Sequence, residues 1–339
     1  MDPVSQAVLG GVAGQQVANK REKLAALVTS ALAGMVADLD VLISSDSDPL
    51  LFLEYHRHFT HALIFIPIGA LICALAFRYA FSRWVGVSSL SFNRLYLFCF
   101  AGYATHALLD ACTTYGTQLF WPFSDMRVAW NTVSVVDPLF TLPLLALLIM
   151  SVIKGSRLWA TSSLIYVFLY QGLGVWQQGR ALDVAEEVLQ QRGHTATSLG
   201  VKPSFANILL WKSVYEFEGR YYIDAVRVGL STQVYQGVSV DKLNLGRHFS
   251  WLPKESQQAK DVERFRWFSN QYLALDPQNP NRIIDVRYSM VPNQVTGMWG
   301  IELDQEKAID EHVVWSTNRP AGEKLKQSTN QFWSMLMGR

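Results

Sequence analysis

The sequence predicts a mainly α protein, a polytopic transmembrane helix bundle over residues 1–178, followed by an α+β soluble domain over residues 179–339. Three observations carry that expectation. Long apolar runs crowd the first half, charges are spread through the second, and basic-rich loops alternate with basic-poor ones along the bundle. A chain of 339 residues is long enough for two domains, each with its own core. A net charge of +1, with no basic stripe, gives no ground for a nucleic-acid partner. Nothing in the sequence fixes an oligomeric state.

A spanning helix needs about 20 mostly apolar residues, with roughly 17 as the lower limit. Residues 24–43, 62–81, 95–112 and 158–176 meet that measure, and 137–153 is acceptable. Residues 3–18, rich in Gly and other small residues that suit close helix packing, make a sixth candidate, so five or six spans are expected. Basic residues stay preferentially on the cytoplasmic side. Loop 19–23 carries Lys20, Arg21 and Lys23, loop 78–94 carries Arg78, Arg83 and Arg94, and turn 154–157 carries Lys154 and Arg157. Loop 44–60 has only Arg57 and loop 113–136 only Arg127. Those two loops and the soluble domain are therefore expected outside the cytoplasm. Met1 to Val4 lacks the basic start of a cleavable signal peptide, so none is expected. Cys73, Cys99 and Cys112 fall in apolar runs without ligand or disulfide spacing and read as small hydrophobes.

Beyond residue 179 the pattern changes. Residues 181–191 have an amphipathic helical pattern, and 221–228 alternate as a half-buried strand does. A helix is expected across 254–275, bounded by Pro253 and Pro277, and strands over 282–290, 295–303 and 312–316. His194, His248 and His312 stand alone and read as surface residues. Trp251, Trp267, Phe268 and Trp299 read as core or interface contacts rather than a ligand box. This half offers no catalytic motif.

The bundle is broken by polar groups in three places. Asp38 and Asp40 lie inside one apolar run, His56-Arg57-His58-Phe59-Thr60-His61 precedes the next, and His106 and Asp110 interrupt a third. Ionisable residues at bilayer depth are costly and mark functional sites. By the loop charges, all three groups fall toward the outer ends of their helices, where they can meet. His106 and Asp110, at i and i+4, share a helix face. Asp38 and Asp40, at i and i+2, diverge on a regular helix, so both serve one site only where the helix ends or unwinds. The mixture of imidazole and carboxylate suits zinc, manganese or iron better than calcium or magnesium. The expected ligand set is Asp38, Asp40, His56, His61, His106 and Asp110. The blander reading is that each group satisfies a neighbouring helix. His58 reads as a neighbour of the site, Arg57 as an anion clamp or a salt-bridge partner of Asp38, Asp40 or Glu54, and Asp137 before Pro138 as a helix N-cap.

At these residues the sequence resembles the bacterial inner-membrane-bound metal-dependent hydrolases, the YdjM-like and YfhP-like group. The resemblance rests on Asp38-Leu39-Asp40, on His56 to His61, and on His106-Ala107-Leu108-Leu109-Asp110. It continues through Tyr115-Gly116-Thr117-Gln118, Pro122-Phe123-Ser124 and Asp137-Pro138. It covers roughly the first half of the chain. Two positions depart from the family pattern: His58 stands where the family has Gly, and Ser5-Gln6 stand where members often have Thr-His. The resemblance implies a multi-pass protein of the inner membrane and a metal-dependent hydrolytic activity.

The function expected is hydrolysis by a metal-activated water, with zinc the favoured divalent ion and manganese or iron the alternatives. A carboxylate such as Asp40 would act as general base, and Arg57 and Thr60 would position the scissile group. A site at bilayer depth points to membrane lipid as partner and to a lipid or lipid-linked phosphoester as substrate, with an amide or peptide bond as the other option. The alternative is a non-catalytic membrane protein with a structural ion, whose soluble domain binds an envelope partner.

Overall fold

A computed structural model describes residues 1–81 and 87–339. Arg83, counted above among the basic loop residues, lies outside them. The described chain separates into two compact units, one made of Met1–Ile43, Tyr55–Trp176 and Phe205–Asn207, the other of Ser44–Glu54, Gln177–Ser204 and Ile208–Arg339.

The first unit is helical: α1 (Pro3–Val17), α2 (Lys23–Val36), α4 (Ile66–Tyr79), α5 (Phe92–Ala111), α6 (Pro138–Lys154) and the first half of α7 (Arg157–Gln191). A short α3 (Leu51–Tyr55) precedes the His-Arg-His turn. Two stretches are long and apolar enough to cross a bilayer, Lys20–Leu42 and Arg157–Gln191. Leu51–His61 and Leu63–Tyr79, bent by 59° at their junction, make a third if they count as one span. Pro138–Lys154 is apolar but short. Among the described residues, length and composition thus support two or three spans where the sequence led to an expectation of five or six. The difference has a physical source. Helix α5 spends polarity on Arg94, His106 and Asp110, and α1 is 15 residues long.

Close approach of backbones shapes this unit. A Cβ on Gly102 of α5 would lie 2.0 Å from the Ser30 carbonyl of α2, and one on Gly10 of α1 would lie 2.6 Å from that same oxygen. Only glycine lets three helices converge on one carbonyl. Helix α2 ends at Val36 and tightens into a 3-10 turn over Ala37–Leu42, the unwinding that the Asp38–Asp40 spacing requires. Asp137 caps α6 by accepting hydrogen bonds from the Leu139 and Phe140 amides and from the Tyr170 hydroxyl.

The second unit holds two antiparallel four-stranded sheets. Strands β1 (Ser198–Pro203), β2 (Leu210–Phe217), β3 (Arg220–Val228) and β4 (Thr232–Asp241) form one in sequence order. After the short α8 (Leu245–His248) and α9 (Gln257–Phe268), strands β5 (Leu273–Asp276), β6 (Asn279–Asp285), β7 (Trp299–Glu302) and β8 (Val314–Thr317) form the other. Helix α10 (Gly322–Leu336) follows and packs Phe332 and Met335 against Leu210, Ala225 and Val291. Arg264 of α9 grips Asp48 through paired hydrogen bonds of 2.9 and 2.8 Å, which ties 44–54 into this unit. His312, expected at the surface, is partly buried, with Nδ1 2.8 Å from Asp261 Oδ2.

Substituting Gly102→Ala should lower the melting temperature of the detergent-solubilised protein by several degrees, because backbone must move to admit the methyl group. The matched change Gly179→Ala, in α7 with open space around it, should leave stability unchanged or raise it by up to about 1 kcal/mol. Equal responses of the two variants would contradict the close-packing account.

Candidate metal centre

Each polar interruption of the bundle is delivered by a break or a face that the local sequence sets. The 3-10 turn after α2 presents Asp38 and Asp40, and a second 3-10 turn over Phe59–His61 presents Thr60 and His61. Helix α5 presents His106 and Asp110 from one face. His106, Asp110, His61, Asp40 and Arg57 are all buried, whereas Asp38 and His56 keep 23% and 24% of their side chains exposed. The cluster therefore reaches the surface at Asp38 and His56.

Two groups of ligand atoms converge. The inner one joins Asp38, His61, His106 and Asp110, the outer one Asp38, Asp40 and His56, with Asp38 common to both. In the inner group His61 Nε2 lies 2.9 Å from His106 Nε2. Asp38 Oδ1 is 3.5 and 3.3 Å from those two nitrogens, and Asp110 Oδ2 is 3.3 and 3.6 Å from them. A tetrahedron with metal–ligand distances of about 2.0–2.2 Å has edges of roughly 3.3–3.6 Å. Four of the five separations fall in or beside that range, and the His–His edge is a few tenths of an ångström short.

The protons on the two imidazoles decide what can sit between them. His106 Nδ1 is 2.5 Å from the Gly34 carbonyl, which can only accept, so this nitrogen carries the proton. His61 Nδ1 lies 3.0 Å from the Thr60 hydroxyl, whose own proton goes to Asp40 Oδ2, so this nitrogen donates to Thr60 Oγ1, with Asp40 Oδ2 3.2 Å away. Both Nε2 atoms then face each other at 2.9 Å, a contact that either a shared proton or a metal ion between them relieves. Asp110 Oδ2, buried and without a hydrogen bond, faces the same point. Imidazole ligands that donate their other N–H to a carboxylate or a backbone carbonyl are the arrangement that orients metal-binding histidines. Three carboxylates against the Arg57 guanidinium and the Met1 amine beside Asp110 leave negative charge in excess. These residues fit a divalent cation.

The expected site residues divide by what they touch. Asp40 is heavily engaged, taking His56 Nδ1, the Arg57 amide and the Thr60 hydroxyl, each at 2.9 Å, with His61 Nδ1 3.2 Å away. Arg57, in the left-handed region at φ 64°, sends its side chain inward. Its Nη1 donates to Thr113 Oγ1 at 3.0 Å, and its Nε lies 3.0 Å from Asp110 Oδ2 without alignment for a hydrogen bond. The guanidinium thus meets Asp110 rather than Asp38, Asp40 or Glu54. Arg57 and Thr60, expected to position a substrate, are directed at partners within the fold. His58 packs among Tyr55, Phe59 and Trp121 and belongs to neither ligand group. The Tyr115 to Gln118 motif braces the turn, with Tyr115 5.3 Å from the Arg57 guanidinium and the Gln118 amide donating to the Arg57 carbonyl.

Gln6 is the site residue whose place the sequence left open. Fully buried on α1, it donates through Nε2 to Asp110 Oδ1 at 2.9 Å and to the His106 carbonyl at 3.3 Å. Its polarity within an apolar, Gly-rich helix was the available signal. Gly34, whose carbonyl fixes the His106 tautomer, carries no signal in composition or spacing.

The model of the YdjM inner membrane protein family matches residues 1–181, the stretch that holds every residue of this cluster. The chain belongs to that family. Among curated proteins, the inner membrane protein YbcI of Escherichia coli (strain K12) is 31% identical over 113 residues, which cover 32% of this chain and 61% of that protein. No solved structure matches significantly. The YdjM family match agrees with the resemblance drawn from the motifs and with an inner-membrane protein.

Asp40→Ala should destabilise this YdjM family protein by roughly 3 kcal/mol or more, because several buried donors lose a charged acceptor at once. Asp40→Asn should cost less and still loosen His61. Thermal unfolding in detergent checks both, and an unchanged melting temperature for Asp40→Ala would contradict the clamp.

Proposed function

We propose that this protein is a metal-dependent hydrolase of the inner membrane, with Asp38, His61, His106 and Asp110 holding a divalent ion and Asp38, Asp40 and His56 forming the open side. The observation that carries the reading is the pair of imidazole lone pairs facing each other at 2.9 Å between two carboxylates. The nitrogen and oxygen donor set favours zinc, with manganese or iron as alternatives. A divalent ion bound there supplies Lewis-acid activation of water and of the scissile group.

The chain's own residues do the remaining work. The Thr60 hydroxyl, held by Asp40, and the Gly34 carbonyl fix both inner imidazoles in the tautomer that points Nε2 inward. Arg57 offsets the charge on Asp110 and pins the turn to Thr113. His56, with Nδ1 on Asp40 and its ring partly exposed, is the group set to take a proton from water through Nε2. This role replaces Asp40 as the base, since Asp40 has no free lone-pair direction toward a substrate.

A multi-pass topology supports a lipid or lipid-linked phosphoester as substrate. Ile68 and Ile72 of α4, Leu142 and Ile153 of α6, and Phe168 and Leu169 of α7 turn apolar side chains outward, as a helix in lipid does. With the basic loops in the cytoplasm, the cluster and the second unit face the other side. A second reading, a structural ion, has its own support, because four protein ligands around one point leave that ion a closed shell.

In the enzyme reading, the purified protein hydrolyses a phospholipid or lipid-linked phosphoester with zinc or manganese, and a chelator abolishes turnover. His61→Ala and Asp110→Ala lose metal and at least a hundredfold in activity while staying folded, and His56→Ala keeps the metal but loses activity. Variants that lose the metal and simply unfold, with no turnover by the parent, would favour the structural ion. Reporter fusions after Ser89 and after Lys307 should report opposite sides of the membrane, and a cytoplasmic report from the second would overturn the topology.

A further inference from the structure

At the end of the bundle where α1 gives way to α2 and α6 to α7, a partly open cavity of about 520 Å³ is lined by Asn19, Lys20, Lys23, Lys154, Ser156 and Arg157. Two loops far apart in sequence build it. Gly155, in the left-handed region at φ 58°, turns the chain from α6 into α7 within two residues and so brings Lys154 and Arg157 to one rim. Nothing lies within 4 Å of where its Cβ would be, so the space above the turn stays clear.

Among the described residues, no carboxylate lines this cavity. The one acidic residue in loop 19–23, Glu22, is engaged by Arg94 Nε at 3.0 Å and by the Asn19 amide at 3.0 Å. Lys23 is only 5% exposed, and its ammonium, which has three donors, meets the Gln15 carbonyl at 3.1 Å and makes no ion pair among the described residues. A preference of basic residues for one side of the membrane explains charge in these loops. It does not explain a cavity, nor a lysine side chain packed into its wall with no counter-charge beside it, where a bound anion would be favourable.

We propose that this cavity binds a phosphate group, carried by an anionic phospholipid of the leaflet that the two loops face. Basic pockets between helices at a membrane surface hold lipid head groups by this chemistry. The site is separate from the His/Asp cluster, shares no residue with it, and does not depend on the hydrolase reading.

Native mass spectrometry of the full chain in detergent, titrated with phosphatidylglycerol, phosphatidylcholine or inorganic phosphate, tests it. Phosphatidylglycerol should be retained and phosphatidylcholine not, and millimolar phosphate should compete with the former. The double variant K154Q/R157Q should weaken phosphatidylglycerol retention about 30-fold. Arg21→Gln, an exposed charge in the same loop that does not line the cavity, should leave it unchanged. Both changes are at exposed positions and should fold, and Lys154→Glu provides a further check with a stronger loss. Equal retention of both lipids, equal effects of K154Q/R157Q and Arg21→Gln, or phosphate binding without retention of lipid would each overturn the proposal.

Discussion

The contact between two imidazoles that have given away their other protons is the constraint on which the membrane unit turns. His106 spends its N–H on the Gly34 carbonyl and His61 spends its own on the Thr60 hydroxyl, which Asp40 holds, so their remaining nitrogens meet at 2.9 Å. Much of the surrounding structure follows from keeping them there. Gly102 and Gly10 let α5 and α1 crowd onto α2, which puts the Gly34 carbonyl within reach of His106. The end of α2 tightens into a 3-10 turn so that Asp40 can clamp the His56–His61 segment while Asp38 joins both ligand groups.

The energetics of this arrangement are those of a half-built polar network. Buried carboxylates cost several kcal/mol each unless they are paired or coordinate a metal. Asp40 is compensated within the chain by its donors. Asp110 is compensated on Oδ1 by Gln6 and the Met1 amine, but its Oδ2 has no hydrogen bond. In the proposed reading a cation at the centre would stabilise Asp110, Asp38 and both imidazoles together.

That these acidic and imidazole groups gather in one cluster was legible in the sequence because ionisable residues in apolar runs are rare and the i, i+4 spacing of His106 and Asp110 fixes a shared face. The motif order also carried the family. What the sequence could not carry were partners set by backbone. The Gly34 carbonyl has no identity in sequence, and the donors that saturate Asp40 include the Arg57 amide, available because that residue adopts a left-handed conformation. Arg57 and Thr60 were read as substrate contacts because both can hold an anion, yet burial turned each toward a nearer partner. In the second unit, the alternation in 221–228 announced the strand found at Arg220–Val228, whereas β4, exposed along much of its length, gave a weaker signal. The helical pattern at 181–191 proved to be the continuation of α7 rather than a separate element.

X-ray absorption spectroscopy at the metal edge of protein loaded with one equivalent of zinc tests the central claim most directly. The account predicts a first shell of two imidazole nitrogens and carboxylate oxygens at about 2.0–2.2 Å, with the imidazole scattering lost when His106 is replaced by Ala. A shell without imidazole, or one that survives that replacement unchanged, would mean that the facing nitrogens share a proton instead of a metal ion.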